Sequence, residues 1–231
     1  MARRGQRLSR ERVVAAALAL VDREGLAALS MRRLGAELGV EAMALYRHAG
    51  SKDALLDDLV EVLYLELEQR LALAEEAGDV PGVPRWRSEL HRIGRATYDV
   101  CLAHPGAVPL LSARMLAAPR TGRPLVVVRG HDRVLALLAE GGLDDARAAV
   151  AFRAFTGWLL GYVAVELCPA SDGPDEPDPV VRLGLRHVPP DEVPGLRVAL
   201  VLAERGGPEG LAAGLDALLD HLARPGGQGP E

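Results

Sequence analysis

Aromatic side chains make up only 3% of this 231-residue sequence, cysteine occurs twice, and a single lysine stands among 27 basic residues. Each scarcity excludes something. Cys101 and Cys168 have no second cysteine or histidine at metal-ligand spacing, so a disulfide framework and a zinc site are both disfavoured. No run of 18 or more uncharged apolar residues occurs, which argues against a membrane span. The opening "MARRGQRLSRERVVAAALALVDREG" has the basic start and apolar run of a secretory leader. Glu11, Asp22 and Arg23 interrupt it, however, and no small-residue cleavage site follows. A reducing, cytoplasmic location is the expectation. The near-absence of lysine reads as the mark of a GC-rich genome and not of a mechanism.

What is present is a soluble, globular composition, 49% apolar and 26% charged. The net charge of −5 hides an asymmetry. Residues 1–52 carry ten basic and five acidic side chains, whereas residues 53–231 carry seventeen basic and twenty-seven acidic. A basic head on an acidic body suggests a polyanion-binding end and a remainder that avoids that polyanion.

Apolar periodicity at three and four residues runs through the chain, and the one β-branched run, "LVVV" at Leu125–Val128, is too short to found a sheet. The expected fold is all-α. Helix one spans about Arg10–Glu24, capped by Ser9 and stopped by Gly25, with Val13, Ala16, Ala17 and Leu20 as its buried stripe. Helix two follows from Met31 to Leu38, capped by Ser30, and helix three from Ala42 to His48. Ser51 caps a long fourth helix reaching towards Ala77. Further helices are expected near Trp86–His104, Arg123–Glu140, Asp144–Leu167, Val193–Glu204 and Pro208–Ala223. "PASDGPDEPDP" (Pro169–Pro179) and the tail 225–231 are poor in packing residues. These features divide the chain into a head (1–52), a body (53–224) and the tail.

Helix two, a glycine turn and helix three have helix-turn-helix spacing. Leu34, Leu38, Val40 and Leu45 can share a small core with helix one, Gly39 permits a left-handed turn, and Ala36 is small where the helices would cross. Ala42, Met43, Tyr46 and Arg47 are then left on an outer face that fits a major groove. Arg32 and Arg33 occupy the first turn of helix two and oppose its dipole, at a cost of roughly 0.3–1 kcal/mol each. That placement suits a helix end aimed at phosphate.

"LSMRRLGAELGVEAMALYRHAGSKDALLDDL", Leu29–Leu59, resembles the DNA-binding end of the tetracycline-repressor (TetR) family. "LAERGGPEGLAAGLDALLDHL", Leu202–Leu222, is similar to the last helix of the tetracycline repressor, so the likeness extends over nearly the whole chain. The resemblance implies that Arg32 reaches a base, and that Tyr46, His48 and Lys52 anchor or frame the phosphate backbone. Ala42, Met43 and Ala44 replace a glutamine, a proline and a threonine of the recognition helix, leaving apolar contact such as a thymine methyl. Arg32, Tyr46 and the arm residues Arg3, Arg4 and Arg7 should therefore carry more of the recognition, with Arg33 and Arg47 beside them.

The resemblance further implies a homodimer through the C-terminal helices, a double-stranded DNA operator and a small-molecule effector bound in the body. Asp144–Leu167 is apolar on most faces, its Gly157 and Gly161 allow close helix approach, and Leu211, Leu215, Leu218, Leu219 and Leu222 form a stripe. Trp86, Leu90, Ile93, Thr97, Leu111, Arg114, Met115, Phe155, Trp158 and Tyr162 are candidates to line the effector site, with plain core as the alternative for each. By the resemblance, the metal-holding histidine and glutamate of the tetracycline repressor fall at Leu111 and Val165, with Glu166 beside the latter. The expectation is a mostly apolar effector with no metal or cofactor. A Cys–His enzyme built from His91, Asp99, Cys101 and His104 is disfavoured, because Asp99 and Cys101, two apart on one helix, face different ways. A helical ligand-binding or scaffolding dimer that does not read DNA is the main alternative.

Overall fold

Small polar side chains set where several helices begin. Ser9 accepts from the Arg12 amide, Ser30 from Arg33, Ser51 from Ala54 and Asp144 from Arg147, each satisfying an otherwise orphaned N–H of a first turn. The computed structural model describes residues 8–75, 81–115, 123–167 and 206–223, and among these every regular element is helical. In chain order they are α1 (Arg10–Glu24), α2 (Met31–Leu38), α3 (Ala42–Ala49), α4 (Lys52–Glu75) and α5 (Arg85–Ala103). Then come α6 (Val108–Met115), α7 (Leu125–Glu140), α8 (Asp145–Glu166) and α9 (Gly207–Ala223). Single 3₁₀ turns occupy Leu26–Ala28 and Pro105–Ala107. The helix expected at Val193–Glu204, the segment Pro169–Pro179, the tail 225–231 and the arm residues Arg3, Arg4 and Arg7 lie outside the described residues.

α1, α2 and α3 pack as a three-helix head around Val13, Ala17, Leu20, Leu34 and Leu45, all fully buried. Gly39 takes the left-handed conformation (φ +68°) that turns the chain between α2 and α3. The close crossing falls at Gly35 and not at Ala36, which is exposed. A Cβ on Gly35 would sit 2.8 Å from the Val40 carbonyl oxygen.

α4 leaves the head and becomes a wall of the body, where it packs on α5, α6 and α7. Leu59, Leu63 and Leu71 of α4 join Leu90 and Ile93 of α5, Leu137 and Leu138 of α7, and Phe155, Leu159 and Val163 of α8 in one core. α9 closes the bundle with Leu211, Leu215 and Leu219. α8 is long and apolar enough to cross a membrane by length and composition. One of its faces is packed into this core through Ala151, Phe155, Leu159, Leu160 and Val163. α6 has no counterpart in the sequence reading, because eight residues with a proline in the first turn carry almost no periodic signal.

Candidate nucleic-acid interface and central cavity

The head sorts its cations into two kinds. Arg10 at the start of α1 binds Asp58 and Glu61 of α4. Arg23 bridges Glu24 and Glu37, with 2.9 Å to the latter, and Arg33 pairs with Glu24 at 2.8 Å. Arg33 and Arg23 hold the Glu24 carboxyl below the usual carboxylate range. By contrast Arg32, Arg47 and Lys52 are exposed and have no carboxylate partner among the described residues. Met43 and Tyr46 stand beside Arg47 on α3 with 74% and 40% of their surfaces exposed, while Leu45 on the opposite face is fully buried. Ala42 and His48 are half-buried at the two ends of that exposed strip. The helix thus presents an apolar, aromatic and cationic ridge, held from behind by the small core of α1 and α2.

Head and body meet at a polar joint. His104, in the turn after α5, lies 2.9 Å from Asp22 of α1 through Nδ1 and 2.9 Å from Glu66 of α4 through Nε2. Burial opposes its charge, but the two carboxylates outweigh burial and raise its pKa above the ordinary histidine value. Arg114, at the end of α6, reaches Asp53 and Asp57 in the first turns of α4, 3.1 Å from each.

Inside the body a small cavity of about 30 Å³ lies between α4, α5, α6, α7 and α8. This is room for a water molecule or two. Of the side chains proposed from sequence, Ile93, Thr97, Met115 and Phe155 line it. Tyr64, His131, Phe152 and Thr156 join them without having been anticipated. The Tyr64 hydroxyl lies 3.0 Å from His131 Nε2, and burial, with Arg123 nearby, lowers the His131 pKa and keeps the ring neutral. Arg133 also lines the cavity and pairs at 2.7 Å with Glu89, which is buried.

The other six candidates sit elsewhere. Leu90 and Leu111 are core, Trp86 packs on Gly141, and Arg114 is committed to α4. Trp158 lies against Gly214 of α9, and the Tyr162 hydroxyl donates to the Gly207 carbonyl at 2.8 Å. Their aromatic content serves the α8–α9 contact. Val165 is 74% exposed and Leu111 is buried. No group of three or more metal-ligating side chains occurs among the described residues. Cys101 is fully buried and burial pushes its thiol up to about 12, so it is protonated at neutral pH. His91 bonds Asp216 and His104 bonds Asp22 and Glu66, so neither is paired with the thiol.

A three-helix head with an exposed ridge on its third helix, joined by one long helix to a bundle with a central cavity, is a helix-turn-helix architecture. Residues 13–59 match the family of bacterial regulatory proteins called tetR, and residues 80–184 match the tetracyclin repressor-like C-terminal domain. The class A tetracycline repressor of transposon 1721, from Escherichia coli, is 30% identical over 217 residues, covering 92% of this chain and 89% of the repressor. The chain belongs to the TetR family.

Two longer relatives are similar over 69% of this chain. An HTH-type transcriptional regulator of Saccharopolyspora erythraea is 32% identical, and the repressor DrrR1 of Streptomyces coeruleorubidus is 34% identical. The aligned region covers only 61% and 54% of their respective lengths. Among solved structures, ActR of Streptomyces coelicolor in complex with (S)-DNPA superposes with a TM-score of 0.70 at 25% identity, covering 94% of this chain and 98% of ActR. BioQ with its natural double-stranded DNA operator superposes with a TM-score of 0.62 at 25% identity, covering 95% and 100%.

Proposed function

We propose that this chain is a cytoplasmic, ligand-responsive transcriptional repressor that binds a palindromic operator as a homodimer and leaves it when a small molecule occupies the body. The observation that carries the reading is the division among the head's cations. Arg32, Arg47 and Lys52 stand without carboxylate partners around the exposed Met43 and Tyr46, whereas Arg10, Arg23 and Arg33 are tied down. Uncommitted cations around an exposed helix are what phosphate contact requires, and BioQ, of the same fold, is known with its operator.

In this reading residues 1–52 grip the duplex. Arg32 reads a base edge, Ala42 and Met43 offer apolar contact, and Tyr46, Arg47, His48 and Lys52 hold phosphates. The arm residues Arg3, Arg4 and Arg7 add to the grip. Arg33 contributes only by exchanging Glu24 for a phosphate. Residues 53–224 form the effector-binding and dimerising body. Val150 and Val165 of α8 are 67% and 74% exposed, and nothing lies within 4 Å of a Cβ built on Gly157 or Gly161. That open, apolar, small-residue face of α8, continued by α9, fits a second copy. Two-fold pairing places the heads for half-sites about 34–36 Å apart.

A mostly apolar effector enlarging the central cavity would displace α6 and α8, and Arg114 passes a shift of α6 to Asp53 and Asp57 on α4. A hundredfold loss of operator affinity corresponds to about 2.7 kcal/mol of coupling, within the usual allosteric range. ActR in complex with (S)-DNPA is consistent with such a ligand-bound state.

The test is fluorescence anisotropy of purified protein on duplexes tiled across the DNA flanking its own coding region, with light scattering for mass. Saturable binding to one palindromic duplex by a dimer supports the proposal. A monomer would refute it, and a dimer that binds no duplex at low ionic strength would leave the scaffolding alternative standing.

A further inference from the structure

A groove of about 490 Å³ runs between the C-terminal half of α4, α5 and α9. It uses Ser88, His91, Arg92, Arg95 and Asp99 of α5, which at 100° per residue lie on the face opposite to Ile93 and Thr97. It is therefore separate from the central cavity, and its volume lies in the range of about 300–1,000 Å³ typical of small-molecule sites.

The lining is apolar along its length and cationic at its edges. Ala96, Leu211 and Leu215, all buried, form the floor. Four arginines, Arg70, Arg87, Arg92 and Arg95, face only two lining carboxylates, Asp99 and Asp216. Arg87 is committed to Asp216 and Asp220 of α9, and Arg92 to the buried Glu89. Arg70 and Arg95 differ. Their side chains are 36% and 54% exposed, and each pairs with a carboxylate one turn away on its own helix, Glu66 and Asp99 respectively. Exposed pairs of this kind add little to stability, so either guanidinium can turn to another anion at small cost. Two turns along α5 from Arg95, roughly 10 Å away by helix rise, Ser88 also lines the groove. Ser88 is 94% buried and its Oγ has no hydrogen-bond partner. An unsatisfied buried hydroxyl inside a groove calls for a polar guest.

We propose that this groove is a second small-molecule site, taking an amphiphilic carboxylate with a further hydroxyl or carbonyl about 10 Å from the acid group. The carboxylate sits between Arg70 and Arg95, the hydrocarbon lies on Leu211 and Leu215, and the distal oxygen meets Ser88. Such a guest ties the end of α4 to α5 and α9 without entering the central cavity. The assignment does not depend on DNA binding.

The probes are 10-hydroxydecanoate and decanoate, titrated calorimetrically into the full-length protein. Saturable binding is expected, with the hydroxy acid several-fold tighter. Arg70→Gln with Arg95→Gln should weaken both acids at least tenfold, while Ser88→Ala should remove only the advantage of the hydroxy acid. Met115→Ala, which alters the central cavity, should leave both affinities unchanged. A diazirine-bearing decanoate, mapped by mass spectrometry on the unmodified protein, should label residues 85–103 and 207–223. No saturation at millimolar probe, unaltered affinity in the double arginine variant, loss of binding in Met115→Ala, or labelling confined to residues 108–115 and 145–166 would each overturn it.

Discussion

Replacing His104 by glutamine tests the joint between head and body. The imidazolium donates from both nitrogens, to Asp22 and to Glu66, and a glutamine amide cannot satisfy two carboxylates on opposite sides in the same way. Each charge-assisted hydrogen bond contributes about 1.5–3 kcal/mol. Asp22 and Glu66 keep 29% and 27% of their side chains exposed, and Arg70 shares Glu66, so screening reduces the pair to roughly 1–3 kcal/mol. For a chain of this size that corresponds to a fall in Tm of roughly 2–12 °C.

The effect must depend on pH, and its sign is fixed. The folded-state pKa of His104 lies above the unfolded value of about 6.5. Its contribution is therefore complete below about pH 6.5 and disappears as pH rises through the folded pKa. Once neutral, the ring has one N–H for two carboxylates, and one contact becomes acceptor against acceptor. Urea denaturation at pH 5.5 and pH 9 should show the full deficit of His104→Gln at the lower pH and less than roughly 0.5 kcal/mol at the higher. Glu66 stays ionised at pH 5.5, because the Arg70 and His104 hydrogen bonds outweigh burial and hold its pKa below the usual range. An equal deficit at both values would show that His104 is a packing residue and that no charged clamp joins α1 to α4.

Three other outcomes are expected. Arg32→Ala should weaken binding to the specific operator by about 1–3 kcal/mol and relax preference at one base pair, measured by anisotropy on single-substituted duplexes; an equal loss on random DNA would make Arg32 a backbone contact. If the dimer neutralises about eight phosphates, log affinity should fall against log salt with a slope near −7, and a slope near zero would exclude the cationic head as the source of affinity. Gly106→Ala should lower stability by about 1–3 kcal/mol in thermal melts, because the added Cβ would sit 2.1 Å from the Val21 carbonyl oxygen at the end of α1. A negligible change would mean that the Pro105–Ala107 turn can slide on α1.

Local chemistry accounts for what the sequence made legible. Capping side chains, glycine stops and a three-to-four-residue period are encoded within a few residues of where they act, and the helices bounded by Ser9, Ser30 and Ser51 begin where those caps are found. The run Leu125–Val128 shows the limit of propensity. Its valines disfavour helix, yet they form the first turn of α7 behind Pro124, with Val127 buried in the core. Contacts between distant segments were not legible. Nothing near His104 announces Asp22 or Glu66, which lie 82 and 38 residues away. Trp158 and Tyr162 look like cavity residues on a helix apolar on most faces, but Gly214 and the Gly207 carbonyl, far along the chain, draw them to α9. Tyr64 and His131 could have been suspected as a polar pair in apolar helices, though no local signal links them.

These distant contacts converge on α4. Arg10 of α1 grips Asp58 and Glu61, His104 grips Glu66, and Arg114 of α6 grips Asp53 and Asp57. The carboxylates at 53, 57, 58, 61 and 66 span the half of α4 nearest the head. On the inner side of the same helix Tyr64, Leu67 and Leu71 line the central cavity. A rigid helix whose acidic positions are held by arginines and a histidine from both head and body cannot shift at one end without changing distances at the other. In the proposed switch, the buried core of Leu20, Leu34 and Leu45 would keep the head intact while these ion pairs carry a shift of α4 to it.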